Sequence, residues 1–208
     1  MSTAPPIRLL IADDQALVRG AMAALLDLEA DLEVVAEVGR GDEVVAAARA
    51  NNVDVALLDI EMPGLDGVAA ARELRAALPG CRVLMVTTFG RPGYLRQAMA
   101  AGASGFIVKD TPARQLADAV RRVHQGLRVV DPTLAAESLA RGDSPLTLRE
   151  SEVLRAAADG KTAADVAAEL HLSEGTVRNH LSSAIAKTGA RTRAEAVRLA
   201  VEQGWLLG

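Results

Sequence analysis

Polar side chains follow four short apolar runs in the first half of the sequence. Asp13 and Asp14 come directly after the first run, Asp59 ends the third, Thr87 ends the fourth and Lys109 follows the fifth. Three crowded carboxylates repel one another, so a divalent cation such as Mg²⁺, which also accepts phosphate oxygens, is their natural partner. A carboxylate can act as a nucleophile and form an aspartyl phosphate. The hydroxyl of Thr87 and the charge of Lys109 could then contact the phosphoryl oxygens.

Taken singly, the acidic residues also have ordinary structural explanations. Asp13 could cap a helix that begins near Gln15. Asp59 stands shortly before Met62-Pro63-Gly64 and could be a turn residue. The recurrence of reactive residue types at equivalent points of the pattern favours a single shared site over separate turns and caps.

The elements that would position these residues alternate between strand and helix. The predicted strands are 7–12, 32–38, 53–59, 82–87 and 105–108, and the predicted helices are 15–28, 42–50, 67–78, 93–101 and 112–125. This alternation predicts a parallel sheet covered by helices on both faces. Ligands of such sheets bind at the carboxyl ends of the strands, where the five reactive residues are expected.

The second half has a different pattern. After about Leu127 no further strand is predicted, and Asp131-Pro132 indicates the start of a short helix over 133–140. The turn-rich segment 141–145 marks the predicted domain boundary, and helices are predicted over 148–159, 162–170, 174–188 and 193–203. The expected organisation is a first domain over 1–126, a linker with a short helix over 127–144 and a helical domain over 145–208.

Composition excludes several classes of protein. The 208 residues are 50% hydrophobic, carry a net charge of −4 and include only 2% aromatic residues, so base stacking on aromatic platforms is not expected. The single cysteine, Cys81, excludes an intrachain disulfide and a multi-cysteine metal site. No apolar run reaches about 20 residues, and the amino terminus lacks the pattern of a signal peptide. We therefore expect a cytoplasmic protein without a membrane span.

A local basic patch lies within the second half, although neither half is basic overall. The segment 175–194 contains no acidic residue and holds the basic residues Arg178, His180, Lys187, Arg191 and Arg193. A short helix, the turn 171–173 and a longer helix form a helix-turn-helix pattern, whose second helix enters the major groove of DNA. Its inward face would carry Val177, Leu181 and Ile185, and its outward face Thr176, Arg178, Asn179, Ser182 and Ser183. Any small helical bundle with one basic face is the alternative.

Four motifs of the first half resemble the receiver domain of two-component response regulators. They are Ile11-Ala-Asp-Asp14, Leu57-Leu-Asp-Ile-Glu-Met-Pro-Gly-Leu-Asp-Gly67, Met85-Val-Thr-Thr88 and Ala101-Gly-Ala-Ser-Gly-Phe-Ile-Val-Lys109. The resemblance implies a flavodoxin-like fold with a five-stranded parallel sheet in the order 2-1-3-4-5. It also implies that a sensor histidine kinase phosphorylates Asp59.

The same resemblance assigns roles to the other site residues. It implies that Mg²⁺ is held by Asp13, Asp14, Asp59 and the backbone carbonyl of Glu61, and that Thr87 and Lys109 contact the phosphoryl group. The resemblance places Phe106 at the switch position, where an aromatic side chain commonly swings inward on activation, although core packing explains Phe106 equally well. Two departures are Asp110, where many receivers have proline, and Thr88, where a small residue is common.

The second half is similar to the LuxR-type helix-turn-helix. The similarity rests on Leu146-Thr-Leu-Arg-Glu-Ser-Glu-Val-Leu154, Leu172-Ser-Glu-Gly-Thr-Val-Arg-Asn-His180 and Arg193-Ala-Glu-Ala196. The whole chain therefore resembles the NarL/FixJ class, and within it most the DesR-like branch. The resemblance implies that Arg178, His180 and Lys187 contact DNA and that Thr176 and Asn179 face the groove. Ala163 and Ala164 stand where relatives often have polar residues that contact the DNA backbone.

These resemblances predict a transcriptional regulator, not an enzyme, that is activated by phosphorylation and binds promoter DNA as a homodimer. The first and last receiver helices form the dimer face by resemblance, with the apolar candidates Ala21, Ala24, Leu25, Ala119 and Val123. Their burial against their own sheet is the alternative. Two other functions stay open, namely a DNA-binding regulator that does not depend on phosphorylation and a phosphotransfer enzyme with a helical appendage.

Overall fold

The computed structural model describes residues 5–88, 90, 92–140 and 144–206. The chain forms two compact units. The α/β unit comprises the residues up to Gly90 together with Tyr94–Glu137, and the helical unit comprises residues 91–93 and the chain from Ser138 onward. Part of the predicted break at 141–145, residues 141–143, lies outside the described residues.

One parallel sheet forms the centre of the α/β unit. Its strands are β1 (Ile7–Ala12), β2 (Leu32–Val38), β3 (Val55–Leu58), β4 (Arg82–Thr87), β5 (Gly105–Val108) and β6 (Val129–Val130). The order is β2-β1-β3-β4-β5-β6, and each neighbouring pair is parallel. The helices between the strands are α1 (Ala16–Leu26), α2 (Val44–Ala50), α3 (Gly67–Ala77), α4 (Pro92–Ala100) and α5 (Ala113–His124). The predicted flavodoxin-like order 2-1-3-4-5 is confirmed.

The sixth strand corrects the expectation that no strand follows Leu127. Val129 and Val130 pair with Gly105 and Phe106 of β5, and the amide of Val129 donates to Ser104 O at 3.1 Å. Two residues are too few to show an alternating pattern, so the strand was not visible in the sequence. The short helix α6 (Pro132–Ala140) follows as predicted, and Asp131 Oδ1 accepts from the amide of Leu134 at its start.

The core on one face of the sheet shows whether the apolar dimer-face candidates on α5 are exposed or pack against their own sheet. Sheet residues such as Leu9, Leu57 and Leu84 form one cluster with residues of α1 and α5, among them Ala119 and Val123. Ala119 and Val123 are buried, so packing against their own sheet is correct for these two residues. The three candidates on α1 remain exposed, namely Ala21, Ala24 and Leu25.

Three helices of the helical unit pack against α9 (Glu174–Thr188). They are α7 (Leu148–Ala156), α8 (Ala163–Glu169) and α10 (Arg193–Glu202). Hydroxyl side chains cap each one: Thr147, Thr162, Ser173 and Thr192 accept from backbone amides in the first turn. The turn between α8 and α9 contains His171 at a left-handed φ of 53°. Val177 is buried, and Leu181 and Ile185 are half-buried against the two small cores, as the inward face requires.

No helix within the described residues combines the length and apolarity that crossing a bilayer requires.

Candidate functional site

The carboxyl ends of the central strands bring the predicted reactive residues of the α/β unit together. Asp13 follows β1, Asp59 follows β3, Thr87 ends β4 and Lys109 follows β5, and these strands are neighbours in the sheet. Asp13, Asp59 and Thr87 are buried. The alternation of strand and helix therefore places these side chains at one edge of the sheet.

Three carboxylates and one ammonium group form the centre of this site. Asp13, Asp14 and Asp59 each present a carboxylate oxygen, and these oxygens lie within 4.8 Å of one another. Lys109 Nζ lies 2.7 Å from Asp13 Oδ2 and 3.0 Å from Asp59 Oδ2. When all four groups are charged, the cluster has an excess of negative charge, which one lysine does not neutralise.

The pKa values of the central pair reflect this crowding. Burial raises the pKa of Asp59 to about 6, because the hydrogen bond and charge of Lys109 oppose it only in part and the charge of Asp13 adds to it. Burial acts to lower the pKa of Lys109, but its contacts with the carboxylates of Asp13 and Asp59 outweigh burial and the pKa rises. Lys109 is therefore cationic at neutral pH, and ionised Asp59 lacks part of the stabilisation that a buried charge needs.

The donor set fits a hard divalent cation. Asp13 Oδ1 accepts from the amide of Gln15 at 2.9 Å, whereas the fully buried Oδ2 has its ion-pair contact with Lys109 but no hydrogen bond of regular geometry. Carboxylate oxygens are the ligands that Mg²⁺ prefers, and a +2 charge would offset the repulsion among the three acids. Asp13, Asp14 and Asp59 could thus hold Mg²⁺.

A small cavity opens onto Asp59. Its volume is about 60 Å³, and it is lined by Asp14, Gln15, Asp59, Glu61, Thr87 and Thr88. Side chains with hydroxyl, amide and carboxylate groups therefore line the space beside the Asp59 carboxylate, where a phosphoryl group would be accommodated. Phe106, the predicted switch residue, lies fully buried on the neighbouring strand β5.

Three residues that support this site were missed in the sequence. A Cβ atom on Gly67 would overlap the carbonyl oxygen of Asp59, so glycine is required where α3 approaches the end of β3. The guanidinium of Arg19 donates to the backbone carbonyl of Asp13, and the fully buried Tyr94 donates its hydroxyl to Glu61 Oε1 at 3.3 Å. Gly67 ends the Pro-Gly-Leu-Asp-Gly motif and was detectable there, whereas Arg19 and Tyr94 carry no local signal.

The helical unit presents most of the predicted DNA-contacting residues along α9. Arg178 and Asn179 are exposed, and Thr176 and His180 are half-buried. The guanidinium of Arg178 lies 2.6 Å from Glu174 Oε2, and both side chains of this pair are well exposed. An ion pair in this setting contributes little to stability, so Arg178 is available to an anionic partner.

Two other residues of α9 point toward a buried acid. Ser183 Oγ donates to Glu150 Oε1 at 2.6 Å, and Lys187 Nζ donates to Glu150 Oε2 at 2.7 Å. The expectation that Ser183 points outward is wrong, because a hydroxyl one helical turn before Lys187 reaches the same carboxylate. Glu150 was not predicted as a functional residue, although it lies within the motif that begins at Leu146.

Comparison with known families agrees with this geometry in both units. The family described as the response regulator receiver domain matches residues 9–121. The family described as bacterial regulatory proteins, luxR family, matches residues 144–200. Together the two matches cover the cluster around Asp59 and most of the helical unit.

Relatives match the chain over almost its whole length. The uncharacterized transcriptional regulatory protein YvfU of Bacillus subtilis (strain 168) is 46% identical, with 96% of this chain and 100% of the relative covered. The transcriptional regulatory protein DesR of the same organism is 43% identical, with 96% and 98% covered. The crystal structure of the response regulator ChrA of a heme-sensing two-component system has 33% identity and a TM-score of 0.58, and covers 96% of this chain and 98% of that chain. The chain therefore belongs to the response regulators of two-component systems that join a receiver domain to a luxR-family DNA-binding domain and regulate transcription.

Proposed function

We propose that phosphorylation of Asp59 by a sensor histidine kinase switches this regulator to a homodimer that binds promoter DNA. The observation that carries the proposal is the buried Asp59 carboxylate, which faces a polar cavity beside Lys109, Thr87 and two further acids. A carboxylate with a pKa of about 6 is largely ionised at neutral pH and can act as the nucleophile. An oxygen of Asp59 would form a bond to the phosphorus atom as the bond between phosphorus and the histidine nitrogen of the kinase breaks.

The neighbouring residues have separate roles in this transfer. Asp13, Asp14, Asp59 and the backbone carbonyl of Glu61 would hold Mg²⁺, which when bound supplies positive charge to the carboxylates and phosphoryl oxygens. Lys109 would pair with one phosphoryl oxygen, which requires it to exchange its present contact with Asp59. Thr87 would donate its hydroxyl to another, and the movement of Thr87 would be coupled to that of Phe106 on the adjacent strand.

The output of the switch would be paired DNA-binding domains. We propose a receiver over 1–126, a linker over 127–144 and a DNA-binding domain over 145–208. Within the last of these, Thr176, Arg178, Asn179 and His180 would contact DNA from α9. The resemblance also places Lys187 among the DNA contacts, but its ammonium group lies 2.7 Å from the buried carboxylate of Glu150.

The exposed face of α1 is the part of the receiver that we propose for dimer formation. Leu17 on α1 is 86% exposed, and Ala21, Ala24 and Leu25 are exposed on the same helix. Leu28, which follows the end of α1, is 80% exposed. The four residues of α1 form an apolar stripe on a helix of the receiver, and such a stripe is typical of an interaction surface. A second copy of the chain is the occupant that the DesR-like resemblance implies. The regulator would act in the cytoplasm, where the kinase domain and DNA are both accessible.

The test is the response of the purified protein to a small phosphodonor. Acetyl phosphate with Mg²⁺ is expected to add one phosphoryl group, seen by intact mass, and chelation of Mg²⁺ by EDTA is expected to prevent it. The Asp59→Asn variant should not be labelled, whereas the control Asp110→Asn, which changes an exposed carboxylate next to Lys109, should be labelled normally. Light scattering should show a dimer after labelling.

Two outcomes would contradict the proposal. Labelling of Asp59→Asn would show that another residue accepts the phosphoryl group. DNA affinity that is the same before and after labelling would instead support a regulator that binds DNA independently of phosphorylation.

A further inference from the structure

We infer that Glu150 is a positioning residue that fixes the orientation of the DNA-reading helix α9, and that Lys187 serves this contact and not a DNA phosphate. The inference rests on DNA binding through α9 and names a residue outside that helix on which recognition depends.

The carboxylate of Glu150 uses both of its oxygens. Glu150 lies in the first turn of α7, and the residue is 4% exposed. Its Oε2 accepts from the amide of Thr147 and from Lys187 Nζ, each at 2.7 Å, and its Oε1 accepts from Ser183 Oγ at 2.6 Å. One buried carboxylate thus joins the start of α7 to two positions of α9.

The spacing of the two positions on α9 explains what the contact controls. Ser183 and Lys187 are four residues apart and therefore lie on one face of the helix, one turn above the other. The apolar contacts of α9, such as those of Ala184 with Leu154, are not directional and allow small rotations of the helix. Hydrogen bonds are directional, so two of them to one buried acceptor define the rotation of α9 about its axis. The rotation in turn decides where Arg178 and Asn179 point.

A comparison of Lys187 with Arg178 shows why only one of them is free for DNA. The partner of Arg178 is Glu174, whose side chain is 49% exposed and which water can solvate when Arg178 leaves. The partner of Lys187 is the Glu150 side chain, which is 6% exposed. A phosphate contact by Lys187 would leave this buried carboxylate without its counter-ion, which is costly. The lowered pKa of Glu150 agrees with a carboxylate that is held by its donors.

The chain offers a matched control and a selective probe. Lys161 Nζ lies 2.7 Å from Glu169, the same separation as in the Lys187 pair, and the two lysine side chains are 38% and 37% exposed. The acid partner of Lys161 is itself exposed, so the two pairs differ mainly in burial of the acid. The single tryptophan, Trp205, packs against the core of the helical unit, and its emission reports the folding of that unit within the full chain.

The first experiment measures how binding to a labelled 30-base-pair duplex of mixed sequence depends on salt, using the full-length protein after phosphorylation with acetyl phosphate and Mg²⁺. The second experiment uses the same phosphorylated protein. Each lost phosphate contact reduces the slope of log K against log salt by about 0.9. We expect Arg178→Met to reduce the slope by about this amount and Lys187→Met to leave it unchanged. We also expect Lys187→Met to lower the unfolding temperature reported by Trp205, and Lys161→Met to leave that temperature unchanged. A slope reduced by Lys187→Met as much as by Arg178→Met would overturn the assignment of Lys187.

The second experiment separates positioning from stability. A duplex that the wild-type protein enriches from a random library is compared with the mixed-sequence duplex, at a temperature where Trp205 shows Glu150→Gln to be fully folded. Glu150→Gln keeps the side-chain shape but weakens the contact with Lys187. We expect the ratio of specific to non-specific affinity to fall about tenfold, comparable to the loss from a mismatched base pair, while non-specific affinity is retained.

Two results of the second experiment would count against the inference. An unchanged ratio would show that Glu150 has only a structural role and would overturn the inference. If the wild-type protein labelled at Asp59 bound neither duplex, DNA binding through α9 itself would be wrong, and the inference would fail together with it.

Discussion

Asp59 and Glu150 are equally buried carboxylates in different units, and their environments act in opposite directions. Each residue is 4% exposed, yet the pKa of Asp59 is raised to about 6 and that of Glu150 is lowered to about 2. Burial is the largest influence in both cases and acts to raise the pKa. The difference lies in the partners that oppose burial and in the depth of each carboxylate, because more protein surrounds Asp59 than Glu150.

The partners differ in number and in charge. Asp59 accepts from the amide of Ile60 and shares the ammonium of Lys109 with Asp13, whose charge repels it. Glu150 accepts from a lysine, a hydroxyl and a backbone amide, and these donors outweigh burial. A buried carboxylate with too few donors retains capacity for a cation or a phosphoryl group, whereas one with enough donors serves as a fixed connection. The pair shows how similar burial supports a reactive site in one unit and a structural contact in the other.

The largest expected effect on stability comes from removing the carboxylate of Glu150, whose oxygens both accept hydrogen bonds. Glu150→Ala should destabilise the helical unit by about 3 kcal/mol, because several hydrogen bonds to a charged acceptor are lost together. Urea titration followed by Trp205 emission measures this change. The exposed residue Glu152 is the matched control, since its ion pair with Arg149 lies at the surface, and Glu152→Ala should change stability by less than about 0.5 kcal/mol. Equal losses in the two variants would mean that burial does not distinguish these acids.

A second substitution disturbs the reactive site without changing a carboxylate. Gly67→Ala should destabilise the α/β unit by about 2 kcal/mol, because the added methyl group would overlap the backbone of Asp59. Gly20→Ala is the control: Gly20 also lies in a helix, but nothing is within 4 Å of its missing Cβ. Since alanine favours helix, this control should stabilise α1 by about 0.5 kcal/mol. Hydrogen exchange of amides in β3 and α1 resolves both effects, and protection of β3 that survives Gly67→Ala would contradict the close approach.

The reactive site could be predicted from the sequence because each of its residues directly follows or ends a strand. Once the alternation of strand and helix was recognised, the positions of Asp13, Asp59, Thr87 and Lys109 followed from the geometry of parallel sheets. The supporting residues were less accessible. Arg19 and Tyr94 contact the site from helices, and helical periodicity does not show which polar residue reaches a backbone carbonyl or a carboxylate elsewhere in the fold.

The role of Glu150 could not be predicted because it depends on residues more than thirty positions away. Ser183 and Lys187 fit the outward or DNA-facing pattern of an amphipathic helix, and only the packing of α7 on α9 brings them to Glu150. Strand β6 was missed for a related reason, since a pair of valines gains its hydrogen bonds from the edge of β5 and not from its own pattern. Local sequence patterns thus predicted most helices and strands. The features that were missed depend on contacts between residues far apart in the sequence.

Lowering the pH perturbs the carboxylate of Glu150 less than the Glu150→Ala substitution does. Because folding lowers this pKa from 4.5 to about 2, its contribution is fully present above pH 4.5 and is lost as pH falls toward 2. The loss should be smaller than that of Glu150→Ala, because a protonated carboxyl group still fills the same space. The difference in Trp205-monitored stability between wild type and Glu150→Gln should therefore shrink between pH 4.5 and pH 2. A difference that stays constant over this range would contradict the lowered pKa.

The smallest expected effect is a gain in stability at the reactive site. Folding raises the pKa of Asp59 from 3.8 to about 6, so its ionised form disfavours the fold, and this cost grows as pH rises through that range. Asp59→Asn should therefore stabilise the α/β unit by about 1 kcal/mol at pH 7.5 without Mg²⁺. This gain is smaller than the full pKa shift implies, because the substitution also removes the ion pair of Asp59 with Lys109. It should be seen as slower hydrogen exchange in β3 and β4, and should be smaller at pH 4.5. Asp110→Asn should have no such effect, because Asp110 is exposed. Addition of Mg²⁺ should stabilise the wild-type protein more than Asp59→Asn, since the cation offsets the repulsion that the substitution removes. If Asp59→Asn instead destabilised the unit at pH 7.5, the carboxylate would be contributing to the fold as Glu150 does, and the contrast between the two buried acids would fail.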